Sequence, residues 1–204
     1  MPRQTLIVTV CTGNICRSPL AELAIADGLR ELPWLDVTSA GTSALVGNPM
    51  DPGSAAIATA HGYLGVQDHR ARAISPELVA EASLLLAMDR SHRSWIVEHF
   101  PRAKKKTFTL VECAELAAAT SRDELLDEYQ FAHTESSGPL APGLTAIRLS
   151  RDRIPAEKLE AYEDIVDPYG RTTEVFEQMS DKLLPATRIV TDFLINVHRI
   201  VGAQ

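Results

Sequence analysis

The chain has 204 residues, of which 45% are hydrophobic, 23% charged and 5% aromatic, the make-up of one soluble globular domain rather than of a disordered, fibrous or disulfide-rich chain. Twenty Lys and Arg stand against 27 Asp and Glu, a formal charge of −7, which excludes a broad basic surface for nucleic acid or an anionic membrane and leaves only local anion binding. Three cysteines, Cys11, Cys16 and Cys113, make no even disulfide framework and suit a reducing compartment. With no signal-peptide core in the opening residues and no run of about 18 apolar residues, the expected location is the cytoplasm.

Thr5 to Val10 is apolar and rich in β-branched residues, and predicts a buried strand of a parallel sheet. The loop from Cys11 to Arg17 follows. Ser18-Pro19 reads as a capping residue and a first helical position ahead of a helix over Leu20 to Glu31. Leu35 to Ser39 predicts the second strand. Asp51-Pro52 and Ser75-Pro76-Glu77 open helices over Gly53 to His61 and Leu78 to Glu81. Further strands are expected at Ser83 to Met88 and Lys106 to Leu110, with a helix over Ser91 to Phe100 between them. This alternation predicts one three-layer α/β domain over residues 1–204, a four-stranded parallel sheet of flavodoxin or Rossmann-like type with helices on both faces. Ligands of such sheets bind beyond the carboxyl ends of the strands, where Cys11 lies.

From about residue 118 to 163 the rhythm breaks. Arg122 to Phe131 and Pro155 to Tyr162 are helix-compatible, whereas Ser136 to Gly143 is a loop by composition, so the segment reads as an insertion. Residues 120–167 hold 11 acids and five bases, most of the net negative charge, and the insertion is expected to flank the site and disfavour acidic substrates. A long helix over Thr173 to Val201, kinked or restarted at Pro185, closes the chain.

The chemistry is concentrated in Cys11-Thr12-Gly13-Asn14-Ile15-Cys16-Arg17-Ser18. A strand delivers the cysteine, Gly13 and Asn14 tolerate a positive φ, and a helix starts where the loop ends. Successive backbone N–H groups of Thr12 to Cys16 can then point inward as a nest for a phosphate-sized dianion, with the positive end of the helix behind them. The same nest favours the thiolate of Cys11 as a nucleophile. Arg17 supplies a planar fork for two oxygens of a transferring phosphoryl group, and the Ser18 hydroxyl can stabilise the departing thiolate. A nucleophilic phosphatase also needs a carboxylic acid opposite the thiolate to protonate the leaving oxygen; by position, Asp167 and Asp164 both qualify.

This loop resembles the phosphate-binding loop of the low-molecular-weight protein tyrosine phosphatases. Ser39-Ala40-Gly41-Thr42, Gly47 to Asp51-Pro52, His61-Gly62, Ala87-Met88-Asp89 and Asp167-Pro168-Tyr169-Gly170 resemble that family in order and neighbourhood. The resemblance implies a phosphomonoesterase acting on protein phosphotyrosine through a cysteinyl-phosphate intermediate, with Cys11 the nucleophile, Arg17 the clamp and Asp167 the acid and later base. It also implies that Asn14, Ser18, Ser39 and His69 hold the loop in shape, that Tyr169 flanks the substrate, and that neither metal nor cofactor is required. Where the family carries an aromatic wall the chain has Ser43-Ala44-Leu45-Val46. Ile15 resembles the tyrosine-directed members, whereas the phosphoarginine-directed branch favours threonine there.

Other readings remain open. The loop could serve a thiol-dependent arsenate reductase, a phosphatase for phosphoarginine, or a non-catalytic phosphate-sensing module. Cys16 is either a disulfide partner of Cys11 under oxidation or a packing residue, and Cys113 is expected in the core. Asp89 is expected to cap a helix and no more. His61, His92, His99, His133 and His198 show no metal-ligand spacing, and Arg102 to Lys106 reads as a solvated edge that could steer an acidic substrate. The expected partners are a phosphorylated protein or small phosphomonoester and product phosphate, with no nucleic acid, no membrane and a monomeric chain.

Overall fold

Strand β1 (Thr5–Cys11) is the axis of the fold. The computed structural model describes residues 5–132, 140–153 and 164–202. β1 pairs in parallel with β2 (Leu35–Gly41) on one side and β3 (Ala82–Ala87) on the other, and β4 (Thr107–Thr109) completes the order β2-β1-β3-β4. Such all-parallel strands read as apolar runs because both faces are covered. Ile7, Leu84, Leu86 and Phe108 contribute to one buried cluster, and Val8, Val10, Leu85 and Ala87 to the other.

Helices α1 (Arg17–Gly28), α2 (Pro52–Ala60), α5 (Leu110–Ala119) and α8 (Thr173–Gly202) pack into the first cluster; α3 (Pro76–Glu81) and α4 (Arg90–His99) lie on the second. A 3₁₀ turn over Pro101–Lys106 leads into β4. The caps expected from sequence form at three starts. Asp51 accepts from the N–H of Gly53, Ser75 from that of Leu78 and Asp89 from that of His92. Because the chain leaves β1 to one side for β2 and returns on the other for β3, the carboxyl end of β1 is the switch point of the sheet,.

Three expectations change. α1 starts at Arg17 rather than Leu20, and Ser18 does not cap it; Ser18 lies in the first turn with its hydroxyl turned to Cys11, and Pro19 costs no hydrogen bond where first-turn N–H groups are free anyway,. The predicted loop over Ser136 to Gly143 gives way at Ala141 to helix α7 (Ala141–Arg153), whose Pro142 and Gly143 sit in the opening turn,. α8 runs through Pro185 as one helix of 30 residues, because a buried stripe from Phe176, Met179 and Leu183 to Val190, Leu194 and Val197 holds it against the core,. Within the segment read as an insertion, α6 (Arg122–Ala132) and α7 pack on each other and on α8, and the helix expected over Pro155 to Tyr162 lies outside the described residues.

α7 is tied down by charge. Arg151 donates from Nε and Nη2 to the carboxylate of buried Glu112 at 2.7 Å each, and its guanidinium lies 3.7 Å from the Phe108 ring centre. Glu112 also accepts from the N–H of Thr109 in the capping box of α5. No helix of the described residues is long and apolar enough to cross a membrane.

Candidate active site

Cys11 is the last residue of β1, and the loop after it is shaped from outside. The carbonyls of Cys11, Thr12, Gly13 and Ile15 accept from the N–H groups of Thr42, Ser43, Leu45 and Asp51 at 2.8–3.0 Å, and that of Asn14 accepts from His69 Nε2 at 2.7 Å. In a planar trans peptide, N–H and C=O point in opposite directions. Turning these carbonyls outward therefore turns the N–H groups of Thr12 to Cys16 inward, the expected anion nest.

Asn14 makes the bend. Its φ is 56°, whereas Gly13 stays outside the left-handed region, so only one of the two expected positions uses that freedom,. The Asn14 side chain is fully buried. Its Nδ2 donates to Ser18 Oγ (3.0 Å) and Ser39 Oγ (2.7 Å), and its Oδ1 accepts from the N–H of Arg72 (2.8 Å). Ser39 Oγ in turn donates to Glu22. Thr12 Oγ1 and His92 Nε2 are hydrogen-bonded at 2.8 Å. Gly41 is required by close approach: a Cβ there would lie 2.4 Å from the Thr12 carbonyl oxygen.

Within the loop, Cys11 Sγ and Ser18 Oγ are 2.9 Å apart. Arg17, its side chain 4% exposed, donates from Nη1 to Asp89 Oδ2 (3.0 Å) and to the carbonyl of Ile165 (3.1 Å). Its Nη2 lies 3.0 Å from Oδ2 of Asp167, which is 53% exposed. Arg17 Nε is buried with no hydrogen-bond partner among the described residues, a donor suited to an oxyanion. A cavity of about 160 Å³ opens here, lined among others by Cys11, Cys16, Arg17, Leu45, Asp167 and Tyr169.

The two candidate acids part company. Asp164 pairs with Arg90 at 3.1 Å, and Asp167 alone of the two lines the cavity. Asp89 caps α4 as expected but also grips Arg17, which the sequence did not reveal. Burial opposes its charge, yet bonds from the His92 and Ser91 side chains and the His92 N–H outweigh that and hold its carboxyl well below the ordinary carboxylate range,. Burial, reinforced by Asp51, Cys11 and Asp167, pushes the Cys16 thiol far up, so it stays protonated at neutral pH. Cys113 is fully buried in α5, its thiol pushed up to about 12 by burial and then by Glu112.

Among the described residues no His, Cys, Asp and Glu group could hold a metal. No residue of α6 or α7 lines the cavity at Cys11, so the described residues of the 118–163 insertion do not line it, and of the acidic stretch 120–167 Asp167 is the described residue that does. Arg102, Lys105 and Lys106 line a separate cavity with Thr5 and Ser83 at the opposite end of the sheet. Beyond the expected residues, Asp89, His92, Arg72 and Glu22 belong to the site's framework.

The family model described as low molecular weight phosphotyrosine protein phosphatase matches residues 6–136. The chain is 34% identical over 126 residues to the probable low molecular weight protein-tyrosine-phosphatase EpsP of Ralstonia nicotianae, covering 62% of this chain and 84% of that one. It is 33% identical over 150 residues to the low molecular weight protein-tyrosine-phosphatase Etp of Escherichia coli, covering 71% and 95%. Among solved structures, the YwlE arginine phosphatase from Geobacillus stearothermophilus superposes with a TM-score of 0.64 at 27% identity over 94% of each chain.

Proposed function

Because the chain belongs to the low molecular weight phosphotyrosine protein phosphatase family, we propose that it hydrolyses protein phosphotyrosine through a cysteinyl-phosphate intermediate. One observation carries this reading: Cys11, the buried guanidinium-bearing Arg17 and Asp167 line one small cavity, with Arg17 and Asp167 paired at 3.0 Å. In the first step the Cys11 thiolate attacks phosphorus in line, the S–P bond forms as the P–O bond breaks, and Asp167 gives its proton to the leaving oxygen. Arg17 and the N–H groups of Thr12, Gly13, Asn14, Ile15 and Cys16 hold the three equatorial oxygens. In the second step Asp167 takes a proton from water, water attacks phosphorus, and the thiolate leaves toward the Ser18 hydroxyl, releasing inorganic phosphate.

Phosphoarginine is the second reading, favoured by the likeness to an arginine phosphatase and by aliphatic Leu45 at the cavity mouth. Ile15 and Tyr169 support tyrosine. An arsenate reductase is disfavoured, since it needs a resolving thiol and Cys113 lies sealed in α5 while Cys16 is held protonated,. The reading includes a single domain with a family-atypical insertion, acting as a monomer in the cytoplasm on phosphorylated protein.

The test is turnover of para-nitrophenyl phosphate, phosphotyrosine peptide and phosphoarginine peptide without added metal. Wild type should release phosphate, fastest from phosphotyrosine, and Cys11→Ser should release none. Turnover by Cys11→Ser at the wild-type rate would sink the mechanism, and preference for phosphoarginine would replace the substrate.

A further inference from the structure

At the end of the sheet opposite Cys11, where β1 and β3 begin, the 3₁₀ turn and the first turns of α7 border a second, open cavity of about 410 Å³. This volume lies in the range of small-molecule sites. Arg102, Lys105, Lys106 and Arg148 line it beside Leu140 and Leu144, and no carboxylate among the described residues does. In a chain of 27 acids and 20 bases, four cations around one concavity invert the overall sign. A concave wall of one charge focuses the field on whatever enters.

Lys106 is fixed in place, its Nζ donating to the carbonyls of Ala80 (3.3 Å) and Ala82 (2.5 Å). Arg102 and Lys105 are exposed, Arg148 is half-buried, and none of the three pairs with a described acid. α7, 13 residues long, opens onto the cavity at Ala141, so the positive end of its dipole adds to the four side chains,. Arginine forks suit phosphate oxygens in pairs, and lysine serves as a point charge. The surrounding negative charge of the molecule repels a long polyanion and favours one small enough to fit inside.

We propose that this cavity is a second ligand site, which binds a small, multiply charged phosphate compound between α7 and the 3₁₀ turn, independently of the Cys11 cavity. The phosphates lie on Arg102, Lys105 and Arg148, and the partly exposed Leu144 offers an apolar surface for an organic group. Sodium tripolyphosphate and a nucleoside triphosphate are the probes, titrated calorimetrically into wild type, Arg17→Met and the triple variant Arg102→Glu/Lys105→Glu/Arg148→Glu. Turnover of para-nitrophenyl phosphate by the triple variant, expected within twofold of wild type, checks that it is folded, and the milder Lys105→Gln/Arg148→Gln pair gives a second measure.

Binding should persist in Arg17→Met, weaken at least tenfold in the triple variant and fall between these in the glutamine pair. Equal affinity for both probes assigns the site to phosphate groups alone, and tighter nucleotide binding adds Leu144; both support the proposal. Equal binding by wild type and the folded triple variant overturns it, as does loss of all binding in Arg17→Met with the triple variant unaffected.

Discussion

Oδ2 of Asp167 and Nη2 of Arg17 form an ion pair of 3.0 Å across the mouth of the Cys11 cavity, one partner half-exposed and the other buried. The other arm of the same guanidinium is held by Asp89 from below. A phosphate entering the nest competes with both carboxylates for Arg17, and the exposed one is the cheaper to displace because water can take up its charge. In the proposed mechanism, displacement would free Asp167 to face the leaving oxygen while Asp89 keeps the guanidinium in place.

Asp167→Asn should lower kcat by about 10²- to 10⁴-fold on an alkyl phosphate, whose leaving group needs the proton, and by less on para-nitrophenyl phosphate. Asp164→Asn breaks an exposed pair with Arg90 and should leave both rates within about threefold. Steady-state kinetics on the two substrates decides between the acids; equal losses in both variants would contradict the assignment.

Asp89→Asn removes the charge of the partly buried partner of Arg17 and should destabilise the fold by roughly 3 kcal/mol. The pH dependence has a definite sign. The Asp89 carboxyl is held below its ordinary value in the folded chain, so its contribution is complete above the unfolded value of about 3.9 and is lost as the pH falls toward the folded value. Urea midpoints of wild type and variant should differ fully at pH 6 and converge below about pH 4.

Gly41→Ala drives a methyl group against the Thr12 carbonyl oxygen and within 3.0 Å of Ala44. Both are backbone-linked and cannot swing aside, so the nucleophile loop must shift. A displacement near 1 Å at a reacting group costs on the order of 10²-fold in rate. Gly62→Ala is the control: its φ is +72° and nothing lies within 4 Å, so it should cost about 1 kcal/mol in thermal stability with kcat unchanged.

Arg151→Met leaves Glu112 buried without its bidentate partner and should cost about 3–5 kcal/mol in chemical denaturation. Turnover of para-nitrophenyl phosphate by the remaining folded protein should stay within twofold, because α7 does not touch the Cys11 cavity.

The strands and most helices were legible because each carries its own signal: an apolar run for β1 or β3, and an Asp-Pro or Ser-Pro start for α2 and α3. The nest was legible because its donors are contiguous from Cys11 to Ser18. What escaped is made by contacts between distant residues. Arg17 meets Asp89 across 72 positions, Thr12 meets His92 across 80 and Asn14 meets the Arg72 N–H across 58, and no local pattern announces them. Asp89 was recognised as a cap, the half of its role that depends on its neighbours. α7 was hidden by Pro142 and Gly143, which resemble a loop until they are placed in a helical first turn.

Asn14 bends the loop only while β2 supplies Ser39 and the segment after α2 supplies His69 and Arg72. A partly folded chain with β1 and α1 alone would carry Cys11 and Arg17 yet lack the clamps that turn the peptide groups inward. On the proposed reading the anion nest at Cys11 forms only once β2 and the segment carrying His69 and Arg72 have docked, so turnover would report that these distant parts of the chain are in place.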